Sequence, residues 1–332
     1  MQSILVIQTA FTGDVVLATG LLEKLHKQFP DAAIDVLVRK GNETLFDEHP
    51  FINEVLVWNK KSNKYNNLFT LLKQLRKNRY DKVINLQRFA ATGLLTGFSQ
   101  AKQTIGFDKN PFSFLFSDVV LHIIAEEEHT LHEIERNHEL IRSFTDEKAE
   151  RPKLYPSSAD MERVAKWKMS PYICIAPASV WFTKQFPADK WADLIRSLPR
   201  HFHIYLLGAP GDTALCEQIK DSAGNAAVTN LAGQLSFLQS AALLKDAVMN
   251  YVNDSAPMHF ASAVNAAVTV VYCSTIPAFG FGPLSDNSHI VEIPNPIPCR
   301  PCGLHGRKKC PLTHFNCARQ IQNRQLLEVL PA

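Results

Sequence analysis

Ala247-Val248-Met249-Asn250-Tyr251-Val252-Asn253-Asp254-Ser255-Ala256-Pro257-Met258-His259-Phe260 reads as a strand that turns straight into a helix of small residues. Asp254 and Ser255 are good N-cap residues, and Pro257 suits a first helical turn, where its missing N–H costs nothing. Such a junction aims unpaired backbone N–H groups and the positive end of a helix at one point, which suits a phosphate. The stretch therefore predicts a parallel α/β sheet with an anion cradle at a strand end, and a nucleotide-linked substrate.

The same rhythm extends in both directions. Upstream stand the strand Tyr172-Ile173-Cys174-Ile175-Ala176, a helix over 188–198, the strand His203-Ile204-Tyr205-Leu206-Leu207, and helices near 213–223 and 236–244. Downstream is the strand Val268-Thr269-Val270-Val271-Tyr272. The first half repeats the pattern. Ile4-Leu5-Val6-Ile7 is a strand; Val16, Leu17, Leu21, Leu22 and Leu25 mark a helix; Ile34–Val38, Val55–Val57 and Lys82–Leu86 are strands, with Leu68, Leu71, Leu72 and Leu75 on a helix face. An acidic helical segment over 125–149 leads to Arg151-Pro152-Lys153-Leu154-Tyr155-Pro156, where a linker towards Pro171 is expected. The fold class is thus α/β, with two Rossmann-like parallel-sheet domains, 1–155 and 170–332, facing across a cleft between strand C-terminal ends.

The composition sets limits. With 332 residues, 46% hydrophobic and 20% charged, the chain has material for two cores. A net charge of +3 is too small to argue for nucleic acid as a partner. The basic residues cluster, however: Lys60, Lys61, Lys64, Lys73, Arg76, Lys77 and Arg79 occur with no acidic residue among them. The plain reading is a solvated helix face; the alternative is a surface for an anionic acceptor or membrane. The N-terminal stretch lacks the features of a signal peptide, and no apolar run is long enough to span a bilayer, so a cytoplasmic protein is expected. Seven cysteines, an odd number, fit reduced thiols there.

Several side chains are candidates for chemistry. The first strand runs into Gln8-Thr9-Ala10-Phe11-Thr12-Gly13-Asp14, where one glycine instead of three argues against NAD. Asp14 in the first helical turn is either an aspartate stabilising the helix dipole or a general base. Lys184, on the loop after the 172–176 strand, is a solvated lysine or the counter-charge of a diphosphate. Asp212, at the end of Leu207-Gly208-Ala209-Pro210-Gly211-Asp212, is a capping aspartate or a ribose contact. Asn230-Leu231-Ala232-Gly233-Gln234-Leu235 is placed to line an adenine pocket. Cys299-x-x-Cys302 with Cys310 and Cys317, near His305 and His314, reads as a structural zinc site, as free thiols or as a disulfide. His129-x-x-His132 reads as surface rather than metal site.

Taken in chain order, Ile4–Ile7 with Thr12-Gly13-Asp14-Val15-Val16, Pro177-Ala178-Ser179 with Thr183-Lys184-Gln185-Phe186-Pro187, the Leu207–Asp212 turn, Asn230-Leu231-Ala232-Gly233 and Asn253–His259 resemble glycosyltransferase family 9, the bacterial ADP-heptose:lipopolysaccharide heptosyltransferases. The resemblance implies a GT-B fold and an inverting transferase that requires no metal. It implies an N-terminal acceptor-binding domain and a C-terminal nucleotide-sugar-binding domain with a cysteine-rich tail. By position it makes Asp14 the catalytic base and Lys184 the donor-phosphate lysine. Thr12, Gly13, Ser179, Asp212, Leu235, Asp254, Ser255, Ala256, Met258 and His259 become donor-binding residues. The chain departs from the family at Ala256-Pro257, where a glycine is usual and where Pro257 removes one amide. The implied partners are ADP-heptose or a related nucleotide sugar, an anionic lipopolysaccharide core, and a peripheral contact with the cytoplasmic face of the inner membrane. Alternatives are a GT-B transferase using another nucleotide sugar, or a non-catalytic nucleotide-sugar-binding protein.

Overall fold

The computed structural model describes residues 2–124, 130–224 and 227–330. It divides into two compact units, Met1–Tyr155 and Pro156–Ala332. In the first, the elements run β1 (Ser3–Ile7), α1 (Thr12–Gln28), β2 (Ala33–Arg39), β3 (Ile52–Trp58), α2 (Lys64–Asn78), β4 (Lys82–Asn85), α3 (Ala90–Gly97), β5 (Gln103–Phe107), β6 (Asp118–Val120) and α4 (Glu133–Glu139). The strands form one parallel sheet in the order β3-β2-β1-β4-β5-β6. β1 is central, and Ile4 to Ile7 are fully buried because helices cover both faces. α2 shows the expected stripe, with Leu68, Leu71, Leu72 and Leu75 buried. Among its described residues, the acidic segment expected as a helix from 125 to 149 is helical over α4 and a single 3-10 turn at Arg142–Phe144. Its residues 125–129, His129 included, lie outside the described residues.

The second unit runs α5 (Ser158–Ala165), β7 (Tyr172–Ala176), α6 (Ala188–Ser197), β8 (His203–Leu206), α7 (Thr213–Ala223), β9 (Val228–Asn230), α8 (Phe237–Lys245), β10 (Met249–Asn253), α9 (Ala256–Ala263), β11 (Val268–Tyr272), β12 (Ser288–Glu292), α10 (Asn316–Arg319) and α11 (Asn323–Leu327). Its parallel sheet has the order β12-β11-β10-β7-β8-β9. α5 occupies the stretch expected as linker, capped by the Ser157 hydroxyl, which accepts the Asp160 N–H. The cysteine-rich end belongs to the fold: Phe315, Cys317, Ala318, Ile321 and Leu326 join the core of β7, β8 and α6. The buried Tyr251 hydroxyl donates to the Leu326 carbonyl at 2.8 Å.

Both sheets have the doubly wound order in which strand succession reverses between the first and fourth strands, here β1/β4 and β7/β10. Loops leaving neighbouring strands at such a reversal diverge to opposite faces and open a crevice at the strand C-terminal ends. Asp14 lies beyond β1, Lys184 beyond β7 and Asp254 just beyond β10. Among the described residues no helix is long and apolar enough to cross a membrane.

Candidate functional site

At the first unit's reversal, β1 runs on into Gln8-Thr9 and β4 is followed by Leu86-Gln87. The Gln87 side-chain amide donates to Gln8 Oε1, and the Gln87 N–H to Asn85 Oδ1 at 2.9 Å. Thr12 donates its hydroxyl to Asn42 Oδ1 at 2.9 Å, and the Asn42 amide reaches the Ala10 carbonyl at 3.3 Å. Gly13 and Asp14 follow in the first turn of α1. Asp14 Oδ2 accepts the Phe11 N–H at 3.1 Å, a bond from the third helical residue back to the N-cap backbone. Asp14 therefore does cap its helix, yet it remains half-exposed at the mouth of the crevice.

Charged groups gather around it. Arg39 stacks on the Phe11 ring with its guanidinium carbon 4.7 Å from the centroid. Burial lowers the Arg39 pKa, and the Asp14 charge pulls it back up. Glu133, at the start of α4, accepts from Arg136 Nε at 2.9 Å. Its carboxyl is pushed up to about 7, chiefly by burial, with Arg136 opposing and the Asp14 charge adding to the rise. Lys60 belongs to this cluster too, although the sequence suggested a solvated face. Its Nζ donates to the Thr9 carbonyl at 2.7 Å and the Thr9 hydroxyl at 3.1 Å. Burial, then repulsion from Arg39 and Lys64, brings its pKa down to about 8. Lys61, Lys64, Lys73, Lys77 and Arg79 are exposed. The signal that distinguishes Lys60 is its place, two residues beyond β3, at a strand C-terminal end.

In the second unit the buried Asn253 closes β10 and organises the loops. Its Oδ1 accepts the Phe186 N–H at 2.9 Å and its Nδ2 donates to the Pro177 carbonyl at 2.7 Å. Asn253 is thus fully committed to loop backbone and is not an anion contact. Those two bonds pin both ends of the 177–186 loop, which carries Ser179 and Lys184. The Ser179 carbonyl accepts from Gln185 Nε2 at 2.6 Å. Lys184 Nζ then lies 2.6 Å from Asp254 Oδ2, the side chains being 16% and 8% exposed. The same oxygen accepts the Thr275 hydroxyl at 2.6 Å.

The start of α9 is only partly the amide cradle expected. Ser255 is the N-cap, but its hydroxyl turns back to the Asn253 carbonyl at 3.3 Å and caps nothing. Pro257 has no N–H, and the Met258 N–H already donates to the Ser255 carbonyl at 3.0 Å. The Met258 side chain is fully buried, with its sulfur 3.5 Å from the Tyr272 hydroxyl. Met258 is therefore a core residue, while Ala256 keeps a first-turn amide. His259 is buried at the same helix start.

Asp212 is first of all a cap: its Oδ2 accepts the Ala209 N–H at 2.8 Å. Gly208 is required beside it, since a Cβ there would stand 2.8 Å from Asp212 Cβ. The Gly233 N–H donates to the Gly208 carbonyl at 2.9 Å, so the turns bearing Asp212 and the half-buried Leu235 are tied together.

Cys299, Cys302, Cys310 and Cys317 line one cavity of about 260 Å³ with Thr183, Ser274 and Arg307. All seven cysteines are free thiols. Among the described residues no three or more His, Cys, Asp or Glu side chains are arranged to hold a metal ion. The Cys317 thiol is packed in the core and pushed up to about 11 by burial and then by its cysteine neighbours.

A family model described as glycosyltransferase family 9 (heptosyltransferase) matches residues 68–311, a span that includes Lys184 and Asp254 and begins after Asp14. Lipopolysaccharide heptosyltransferase 3 of Escherichia coli is 28% identical over 291 residues, covering 83% of this chain and 85% of that protein. Lipooligosaccharide heptosyltransferase 2 of Campylobacter jejuni is 22% identical over 324 residues, covering 95% and 93%. The solved structure of E. coli ADP-heptose lps heptosyltransferase II superposes with a TM-score of 0.80 at 22% identity, covering 99% of this chain and 97% of that one. That likeness bears out the fold expected.

Proposed function

The chain belongs to glycosyltransferase family 9, the heptosyltransferases, and on that premise we propose that it moves heptose from ADP-heptose to an anionic lipopolysaccharide inner core, with inversion. The first unit supplies acceptor binding and the base; the second holds the donor. An acceptor hydroxyl oxygen attacks the anomeric carbon and its proton passes to Asp14. The bond from that carbon to the diphosphate breaks, and ADP leaves with the electron pair. The transition state is oxocarbenium-like, so negative charge grows on the diphosphate as the bond lengthens. Lys184 and the Ala256 amide stabilise that charge, and Asp254 binds sugar hydroxyls.

The observation that carries this reading is the Lys184–Asp254 pair, 2.6 Å apart at the β7/β10 reversal and beside the start of α9. Three N–H donors on the ammonium leave two for phosphate oxygens once Asp254 holds one. Turnover with ADP-heptose and truncated lipopolysaccharide acceptors tests the proposal. Product with ADP-heptose is expected. Thermal stabilisation by UDP-sugars alone would point to another donor, and binding without turnover to a non-catalytic protein.

Lys60 and Arg39 place positive charge beside Asp14, where an anionic acceptor would be held. Lys60 is protonated below its pKa of about 8, so acceptor KM should rise as pH climbs through 8, while donor KM stays flat. In Lys60→Gln the acceptor KM should start high and lose that pH dependence; an unchanged profile would remove Lys60 from acceptor binding. The exposed Tyr65 and Phe69 on α2, among Lys61, Lys64 and Lys73, suit peripheral contact with the anionic cytoplasmic face of the inner membrane. Flotation with anionic vesicles at low and high salt tests that contact.

A further inference from the structure

The loop 299–310 does more than carry cysteines, because its hydrogen bonds run into the Lys184–Asp254 pair from two sides. On one side Thr183, the residue before Lys184, is 1% exposed and fully engaged. Its N–H donates to the Arg307 carbonyl at 3.1 Å, and its hydroxyl oxygen accepts the Arg307 N–H at 2.8 Å and the Ser274 hydroxyl at 3.0 Å. Gly306, with φ of +77°, lets the loop close over this point; a Cβ there would meet Lys184 Cγ at 3.0 Å and Thr183 Oγ1 at 3.1 Å.

On the other side Arg300, with a side chain only 11% exposed, fixes the turn that follows β11. It donates to the Cys273 carbonyl at 2.8 Å and the Thr275 carbonyl at 2.7 Å, and pairs with Glu292. The Cys302 N–H adds a bond to the Ser274 carbonyl at 2.7 Å. The turn so held delivers the Thr275 hydroxyl to Asp254 Oδ2, the oxygen that Lys184 contacts.

We propose that Thr275 is a positioning residue of the donor site, held by the Arg300 strap, which fixes Asp254 and through it the Lys184 ammonium. The physical argument is geometric. A carboxylate with one partner rotates; one gripped by a threonine within a rigid turn holds its counter-ion in a single place. A hydrogen bond to a charged, buried acceptor is also the strong kind. The proposal rests on the donor reading above, so the test separates the two.

The variants are Thr275→Val, which keeps shape and removes the hydroxyl, and Thr275→Ser, which keeps the hydroxyl. Binding of ADP, UDP and GDP to the full chain is measured by calorimetry, with donor KM, acceptor KM and kcat. Thr275→Val should weaken ADP binding and raise donor KM by about tenfold, with acceptor KM unchanged, and Thr275→Ser should restore both. In a Lys184→Met/Asp254→Asn background, where no buried charge is left, the valine substitution should add little, since the group being positioned is gone. A Thr275→Val chain that binds ADP as the wild type does, or losses that multiply with those of that double variant, would overturn the proposal. A wild-type chain that binds none of the three nucleotides would instead overturn the donor reading, and this one with it.

Discussion

Asp14→Asn should lower kcat by about 10²–10⁴-fold, the usual worth of a positioned base, while ADP binding stays at its wild-type level. Asparagine is the informative substitution because of what Asp14 also does. Its Oδ2 accepts the Phe11 N–H, and an amide oxygen can accept the same bond, so the start of α1 survives. Asp14→Ala removes the cap as well, which costs about 1 kcal/mol. Alanine should therefore match asparagine in kcat but melt earlier. If Asp14 were only a cap, the order would differ: alanine would be destabilised and asparagine would turn over normally. Near-normal kcat in the asparagine variant would remove the base from the mechanism, whatever alanine did.

The two readings offered for Asp14 by the sequence are compatible in this fold. A first-turn carboxylate interacts favourably with the positive end of its helix, and capping with one oxygen leaves the other for a proton. A capping carboxylate recurs at Asp212, whose Oδ2 accepts the Ala209 N–H.

Alternation of strands and helices was legible because it is local: the Ile4–Ile7 run and the Leu68/Leu71/Leu72/Leu75 spacing declare themselves within one window. Strand order was not, since pairing β1 with β4 rather than β3 is settled by contacts far apart in sequence. Short or half-exposed elements also escaped. β5 has Gln103, Thr104 and Gly106 among its five residues, and β12 is an edge strand with Ser288, His289 and Ile290 partly exposed. Candidate site residues followed the same division. Asp14, Lys184 and Asp254 stand at recognisable strand ends. Thr275 and Arg300 carry no local pattern, and their importance lies in partners 21 and 25 residues away. Asn253 is silent in the sequence for a related reason: its role lies in loop partners 67 and 76 residues away.

Lys184→Met should lower kcat by about 10²–10³-fold, the range for removing one donor that stabilises leaving-group charge. The substitution has a second effect that must be separated from the first. Asp254 is 6% exposed and Lys184 is its counter-ion, so methionine leaves a buried carboxylate supported by Thr275. Breaking a buried pair from one side costs about 3–5 kcal/mol, enough to lower activity by unfolding alone. The double variant Lys184→Met/Asp254→Asn distinguishes the causes. It removes both charges, and the asparagine side chain still accepts the Thr275 hydroxyl, so thermal stability should return towards wild type. The lost kcat should not return, because no cation remains for the departing diphosphate. Lys184→Arg keeps a charge near the pair but changes its length and shape, and should recover stability better than rate. Recovery of kcat together with stability in the double variant would mean that Lys184 serves the fold and that the leaving group is stabilised by other residues.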